Sequence, residues 1–153
     1  MRTTIGLILL LGALLGGCAT TSTDYRQRMN ALPEHYQQFD LVMGWETRVE
    51  GDQTVIDGVV RNVRYFVMRD LEIWVALLAP QGKPVRREVS FIIPSDLKLD
   101  ESAPFSIRLP MAVKAGDRLR FTYKYRGSDG GDGLQRDETP WMQSFERVVV
   151  APR

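Results

Sequence analysis

The stretch Leu71-Glu72-Ile73-Trp74-Val75-Ala76-Leu77-Leu78 decides the fold of this chain. Aliphatic side chains alternate along it, so every second residue falls on the same face of an extended strand. The opposite face is also mostly apolar, which predicts a central strand that is covered on both sides. We therefore expect the flanking sequence to supply its neighbours in a sheet.

The sequence before this strand predicts a β-hairpin. Hydrophobic residues recur with a period of two from residue 39 to residue 62, interrupted by the turn pair Gly51-Asp52. The connection from 63 to 69 then carries two adjacent aromatic residues, Tyr65 and Phe66. Two strands and an aromatic loop are thus expected ahead of the central strand.

Four further strands are predicted after it. Residues 85–93 carry mixed charges, as an edge strand does; 105–109 lie between two prolines; 119–125 alternate with a basic outer row. After a Gly/Asp-rich, solvated loop, we expect the last strand, 141–150, to pair inside the sheet and close the domain. About seven short strands without a core helix predict an all-β fold, an immunoglobulin-like β-sandwich over residues 39–153.

Composition excludes several classes of protein. The 153 residues contain one cysteine, Cys18, so no intrachain disulfide can form. The 136 residues from Cys18 onward hold equal numbers of basic and acidic side chains, because Arg2 is the only charged residue before it. A neutral balance does not favour nucleic acid or an anionic membrane surface as the partner.

The first 17 residues have the parts of a secretory signal. Arg2 supplies positive charge, residues 5–15 are almost entirely apolar, and Gly16 and Gly17 are small. The apolar run is about half of the roughly 20 residues that a membrane-spanning helix needs. We therefore expect a signal peptide that is cleaved, over residues 1–17.

Leu15-Gly16-Gly17-Cys18 resembles the lipobox of bacterial lipoproteins. The resemblance implies cleavage before Cys18 and attachment of acyl chains, palmitate among them, to that residue. Each buried methylene contributes about 0.8 kcal/mol, so several chains form an essentially irreversible membrane anchor. Ala19, which is not an aspartate, implies by the same resemblance an outer-membrane location facing the periplasm.

Residues 18–38 are expected to be the lipidated cysteine and a tether. Its first part is small and polar, whereas Tyr25, Met29, Leu32, Tyr36 and Phe39 recur at helical spacing. This stripe predicts a short helix or two packing on the sandwich, with a disordered spacer or a partner-binding helix as the alternatives. His35, the only histidine, is expected to be a solvated surface residue.

Several motifs between residues 55 and 109 resemble the FxLYD-type immunoglobulin-like domains of bacterial envelope proteins. The matching stretches are Gly58-Val59-Val60-Arg61-Asn62, the strand 71–77, the turn 81–85 and Ser102-Ala103-Pro104-Phe105. Leu78-Ala79 stands where that family has Tyr-Asp. The resemblance implies a fold and a non-enzymatic protein, and it transfers no catalytic residue.

We expect neither catalysis nor a metal nor a cofactor. The acidic residues of the 127–140 loop, such as Asp129 and Asp132, lack the spacing of a Ca²⁺-binding EF-hand loop. No nucleophile, metalloprotease or phosphate-binding motif occurs. A loop of this length that does not bind a metal is either solvated or becomes ordered on a partner.

The candidate binding residues are aromatic side chains with neighbouring arginines, the composition of interface hot spots. They are Arg64, Tyr65, Phe66, Arg69 and Trp141. The alternative interpretation is that each ring caps an open end of the sandwich core. The edge strand at 85–93 is another candidate, because it could accept a partner strand by backbone pairing.

These features together predict a lipid-anchored envelope protein that faces the periplasm. It would act as a non-catalytic interaction or assembly module, held in the membrane by Cys18 and bound to an envelope protein. The alternative is a glycan- or peptidoglycan-binding domain that uses its loop aromatics. Exposure of Tyr65, Phe66 and Trp141 on one face would favour the alternative.

Overall fold

The computed structural model describes residues 20–129 and 138–150, with side chains from residue 24 onward. The predicted signal peptide, Cys18 and residues 130–137 of the long loop lie outside the described residues. The elements are the helix α1 (Thr20–Ala31) and the strands β1 (Glu34–Gln37), β2 (Leu41–Glu50), β3 (Gln53–Asn62), β4 (Val67–Leu78), β5 (Pro84–Phe91), β6 (Asp96–Leu97), β7 (Ser102–Leu109), β8 (Arg118–Ser128) and β9 (Thr139–Val148).

The strands form two antiparallel sheets packed face to face. One sheet has the order β1-β2-β3-β7, and the other has the order β5-β4-β8-β9, with the short β6 also paired to β4. Strands β2, β3 and β7 facing β5, β4, β8 and β9 give the seven-stranded arrangement of an immunoglobulin-like sandwich. The predicted fold class is confirmed.

The hairpin and the central strand lie where the sequence predicts them. Strands β2 and β3 pair from Leu41↔Asn62 to Glu50↔Gln53, and Gly51 takes the positive φ that the turn requires. Strand β4 pairs with β5 along one edge and with β8 along the other, and the side chain of Ile73 on its inner face is fully buried. Its outer face is only partly covered, because Glu72 and Trp74 are half-buried there, so the predicted cover on both faces is wrong. Strand β5 is at the sheet edge, as its mixed charges predict.

The core between the sheets is rich in aromatic side chains. Trp45 lies 4.7 Å from Phe121 and 5.9 Å from Phe145, measured between ring centres. The ring of Phe105 occupies the space above Gly58, where a Cβ atom would come within 2.4 Å of the ring. A glycine at 58 is therefore required for this aromatic layer to close.

The last strand differs from the prediction. Strand β9 pairs with β8 alone and forms an edge of its sheet, so it does not lie inside the sheet. Alternation along a strand reports which face is buried, and it carries no information about which strands are neighbours. The prediction of an internal position for 141–150 is therefore wrong, although the strand itself is present.

The segment assigned to the tether is largely folded onto the sandwich. Helix α1 packs on the outer face of the first sheet, where Met29 and Leu32 bury Val59. Residues 34–37 form β1, which pairs with β2 from Glu34↔Trp45 to Gln37↔Val42. The residues predicted to share one helix face therefore lie on different elements. Tyr25 and Met29 lie on α1, whereas Tyr36 lies on β1.

Two side chains fix this N-terminal segment. The Nε2 atom of His35 is 2.9 Å from the carbonyl oxygen of Met29, near the end of α1, so this histidine has a structural partner. Tyr36 stacks on Phe145 of β9 with ring centres 3.6 Å apart, which joins the edges of the two sheets. No helix within the described residues is long and apolar enough to cross a membrane.

Candidate functional site

Four of the five predicted binding residues meet at one end of the sandwich. Arg64, Tyr65 and Phe66 form the connection between β3 and β4, and Trp141 begins the inward-facing row of β9. Phe39, in the connection before β2, completes the group, which we call the aromatic end. It consists of Phe39, Arg64, Tyr65, Phe66 and Trp141.

Asn62 holds the 63–66 connection in place. Its side-chain oxygen accepts a hydrogen bond from the Arg64 amide at 2.8 Å. Its side-chain nitrogen donates to the carbonyl oxygens of Phe66 at 2.7 Å and Leu97 at 2.9 Å. Because Asn62 is fully buried, these bonds fix the loop without competition from water.

The guanidinium group of Arg64 is the centre of the aromatic end. Its carbon lies 4.7 Å from the ring centre of Phe66, 5.0 Å from that of Phe39 and 6.0 Å from that of Tyr65. Phe39 in turn meets Trp141 edge to face at 5.3 Å. These are the distances of cation–π and aromatic contacts, so the rings and the charge support one another.

Exposure differs among the rings. Tyr65 is 70% exposed and Phe39 is 52% exposed, whereas Phe66 and Trp141 are half-buried. The aromatic end therefore presents two open rings on a base of two anchored ones. The half-buried rings Phe66 and Trp141 lie at the end of the core, while the open rings face solvent.

A buried carboxylate, Asp40, lies next to the aromatic end in the core. Asp40 is fully buried and accepts hydrogen bonds from the hydroxyls of Tyr123 at 2.9 Å and Tyr125 at 3.0 Å. Burial and the negative charge of Asp40 raise the pKa of both tyrosines, while Arg64 acts in the opposite direction on the pKa of Tyr125. The network ties β8 to the connection that carries Phe39.

Arg69 does not belong to the aromatic end. Its guanidinium forms ion pairs with Glu138 at 3.3 Å and with Asp96 at 3.5 Å. Glu138 also pairs with Arg126 at 2.8 Å. The ladder between β4 and β8 shifts register between Arg69 and Glu72, and Arg69 is occupied by acidic partners. Grouping it with Arg64 from sequence proximity is therefore wrong.

A groove of about 370 Å³ beside β8 and β9 contains two acidic residues, Asp70 and Glu72. Arg126 forms an ion pair with Asp70, and Lys124 lies 3.0 Å from Glu72, which also accepts a hydrogen bond from Trp74 at 2.8 Å. Both carboxylates are thus matched by cations. Within residues 20–129 and 138–150, no group of three His, Cys, Asp or Glu side chains is placed to hold a metal ion.

Sequence reasoning missed three residues of the site. Phe39 and Asp40 precede a strand and show no pattern that separates them from ordinary strand entry. Asn62 ends the G-x-V-x-N stretch, and that motif was the available signal for it.

Neither a scan against protein-family models nor a search of curated proteins finds a match for this chain.

Proposed function

We propose that this protein is a lipid-anchored, periplasm-facing envelope protein that acts as a non-catalytic interaction module. Cys18 supplies the anchor, and the aromatic end supplies the contact surface for an envelope protein. The observation that carries the proposal is the pair of open rings, Phe39 and Tyr65, beside the guanidinium group of Arg64. We also propose that the domain is of the FxLYD type, on the motifs given above.

Rigidity of the aromatic end supports a binding role. Asn62 fixes the backbone of the loop by two hydrogen bonds and is itself held by a third to Leu97, and Arg64 lies among three rings. Aromatic and arginine side chains dominate binding energy at protein interfaces, and preordered ones lose less conformational entropy on association. The aromatic end combines both properties.

The ion pairs of the two acidic residues in the groove beside β8 and β9 support a non-catalytic role. Asp70 and Glu72, the acidic pair in a groove, each have a cation in contact. A general acid and base require carboxylates with separated proton affinities that are free to face a substrate. This groove instead holds matched ion pairs, which stabilise the outer surface of a sheet.

Site-specific photocross-linking in intact cells tests the contact surface. A cross-linking residue at Tyr65 should give a discrete protein adduct, because this ring is the most open member of the aromatic end. The matched control is the same residue at Met142, which is 67% exposed on β9. The same adduct at both positions, or none at Tyr65, would contradict the proposed surface.

Replacement of the cysteine tests the anchor. Cys18→Ser should abolish incorporation of labelled palmitate and move the protein from the membrane pellet to the soluble fraction. Several acyl chains hold a protein essentially irreversibly, so the shift should be close to complete. Continued sedimentation of the variant with membranes would count against the anchor.

Glycan binding is the second candidate, and the openness of Tyr65 is the observation in its favour. A sugar ring stacks on a flat, accessible aromatic face, which Tyr65 offers. However, Phe66 is tilted by 34° against it, and Arg64 covers the faces of Phe39 and Phe66, so an extended flat platform is missing. Co-sedimentation with purified peptidoglycan that is lost in Tyr65→Ala would favour this candidate over a protein partner.

A further inference from the structure

An exposed apolar surface lies on one flank of the sandwich. Phe91 is 65% exposed and Ile93 is 81% exposed, at and just after the end of edge strand β5. Leu99, in the same segment, is 50% exposed. Three large apolar side chains within nine residues are more than the isolated surface hydrophobics that most proteins carry.

Helix α1 and strand β7 extend this surface. Ile93 and Pro104 line two adjoining shallow grooves, one of which reaches Phe91 and the other Pro94 and Tyr25 of the helix. We call these residues the apolar flank: Tyr25, Phe91, Ile93, Pro94 and Pro104. It is a continuous strip in which a helix and two strand edges take part.

The direction of α1 brings the proposed lipid attachment site to this strip. Met29 lies over Gly44 and Val59 in the middle of the first sheet, whereas Tyr25 lies at the flank. The helix therefore runs outward over the sheet edge as it is followed towards Thr20. At 1.5 Å per residue, Thr20 is about 7.5 Å beyond Tyr25 along the helix axis.

The chain that joins the helix to Cys18 is short. Cys18 is two residues before Thr20, and two fully extended residues span at most about 7 Å. The zone of lipid headgroups on each side of a bilayer is of similar thickness, about 5–7 Å. Acyl chains on Cys18 thus bring the N-terminal end of α1 to the membrane surface, and they hold the strip at Tyr25 within about 7.5 Å of that end along the helix axis.

We propose that the apolar flank lies against the headgroup region of the bilayer, so that the sandwich is held in one orientation on the membrane. This inference rests on the proposed anchor at Cys18. Its ligand is the lipid surface itself, which the exposed rings and aliphatic groups of the flank enter at shallow depth, as interfacial apolar residues do.

Charges around the strip indicate what kind of lipid surface it fits. Arg28 and Asp57 line the groove at Phe91, and Arg26 forms an ion pair with Asp100 at 3.5 Å. Further charged residues of the same segment are Lys98, Asp96 and Glu101. Mixed charge gives little net attraction to anionic lipids. Contact should therefore depend on apolar burial and be nearly the same on zwitterionic and anionic membranes.

The depth of a single labelled position tests the inference. Ile93→Cys and Met142→Cys are made in the full chain; each carries one reactive thiol, because the sulfur of Cys18 is consumed in the thioether. An environment-sensitive fluorophore is attached, and the protein is placed in phosphatidylcholine vesicles with or without brominated lipid. Quenching at 93 should exceed quenching at 142 by at least about twofold, as expected for a side chain that enters the interface.

A second change in the same chain checks the contact. Adding Phe91→Asp to the Ile93→Cys protein should bring the quenching at 93 down to that of Met142→Cys. Phe91 is mostly exposed, so this change leaves the fold intact, which circular dichroism verifies. Undiminished quenching would overturn the role of the strip.

The outcomes separate the two proposals. Equal quenching at 93 and 142, in protein whose acyl mass is confirmed and which stays with the vesicles, overturns the apolar flank and leaves the anchor standing. Protein that shows no acyl mass and fails to bind vesicles overturns the anchor, and the inference falls with it.

Discussion

At the scale of single residues, Asp40 is the centre of a buried hydrogen-bond network. It is a fully buried carboxylate, and both of its oxygens accept hydrogen bonds from tyrosine hydroxyls. Hydrogen bonds to a charged group are stronger than neutral ones, and an unpaired buried group costs more than its bond contributes. The free energy of unfolding should therefore be sensitive to this side chain.

We expect Asp40→Ala to lower the free energy of unfolding by about 2–4 kcal/mol, because two buried hydroxyls lose their acceptor. Urea denaturation followed by tryptophan fluorescence measures the change. The matched control is Asp96→Ala, whose exposed ion pair with Arg69 at 3.5 Å should contribute under about 1 kcal/mol. Equal losses in the two variants would show that the Asp40 network is not stabilising.

The same network predicts a loss of stability in alkali. The pKa of Tyr123 and Tyr125 is raised by burial and by Asp40, so the native hydroxyls stay protonated where unfolded ones ionise, near pH 10. Their contribution is complete below about pH 10 and falls as pH rises further, by about 1.4 kcal/mol per pH unit for each tyrosine. Urea midpoints measured between about pH 8 and pH 11 should show this slope.

Phenolate absorbance gives an independent check of the alkaline prediction. The chain has five tyrosines, and fewer than five should ionise near pH 10.5 while the protein remains folded. Simultaneous ionisation of all five in the native protein would contradict the raised pKa of the buried pair.

Site residues could be predicted from the sequence where the residue type itself, an aromatic ring or an arginine in a loop, indicates a binding role. Arg64, Tyr65, Phe66 and Trp141 stand out as aromatic and cationic residues in loops, and the structure brings them together. Phe39, Asp40 and Arg69 depend on which strand ends meet and on a register shift between β4 and β8. Such non-local relations leave no local pattern, and so these three were missed or misplaced.

At the scale of elements, the docking of α1 depends on Gly44. A Cβ atom at this position would come within 2.9 Å of the carbonyl oxygen of Met29 and 3.0 Å of its Cγ. Backbone oxygen cannot move aside as a flexible side chain can. The glycine thus permits the end of the helix to approach the sheet closely enough to bury Val59.

Gly44→Ala should therefore loosen the helix, with a loss of about 1–3 kcal/mol typical of overpacking. Amide hydrogen exchange over residues 24–31 should become faster, while exchange in β4 and β8 stays unchanged. Gly127→Ala is the control, because the nearest atoms to its Cβ would lie at 3.6 Å. Unchanged exchange in the helix of the Gly44 variant would show that the contact adapts.

Strands were more predictable than their arrangement. The alternation of β4, β7 and β8 indicates their buried faces directly, and Gly51-Asp52 indicates the hairpin turn. The edge position of β9 and the assignment of residues 34–37 to a strand depend on pairing with distant segments, β8 and β2. The hydrophobic period and the turn residues therefore indicate where each strand lies in the sequence. Which strands pair with each other is decided by packing between distant segments.

At the scale of the whole molecule, the N-terminal segment is part of the folded unit. Met29 and Leu32 are buried against the first sheet, and Tyr36 stacks on Phe145 across the two sheets. A chain that starts at residue 39 should lose about 3–6 kcal/mol of unfolding free energy, the value for burial of two large apolar side chains. A chain that starts at residue 24 is the control, and equal urea midpoints would contradict the prediction.

The position of α1 between the proposed anchor and the sheets has a mechanical consequence. Any tension between the membrane and a bound partner enters the domain through this helix before it reaches a strand. Two buried side chains, Met29 and Leu32, hold the helix, whereas ladders of eight or more paired residues hold the central strands. Under load the helix should detach before any strand does. The released residues would lengthen the connection to the membrane, and the two sheets would stay folded.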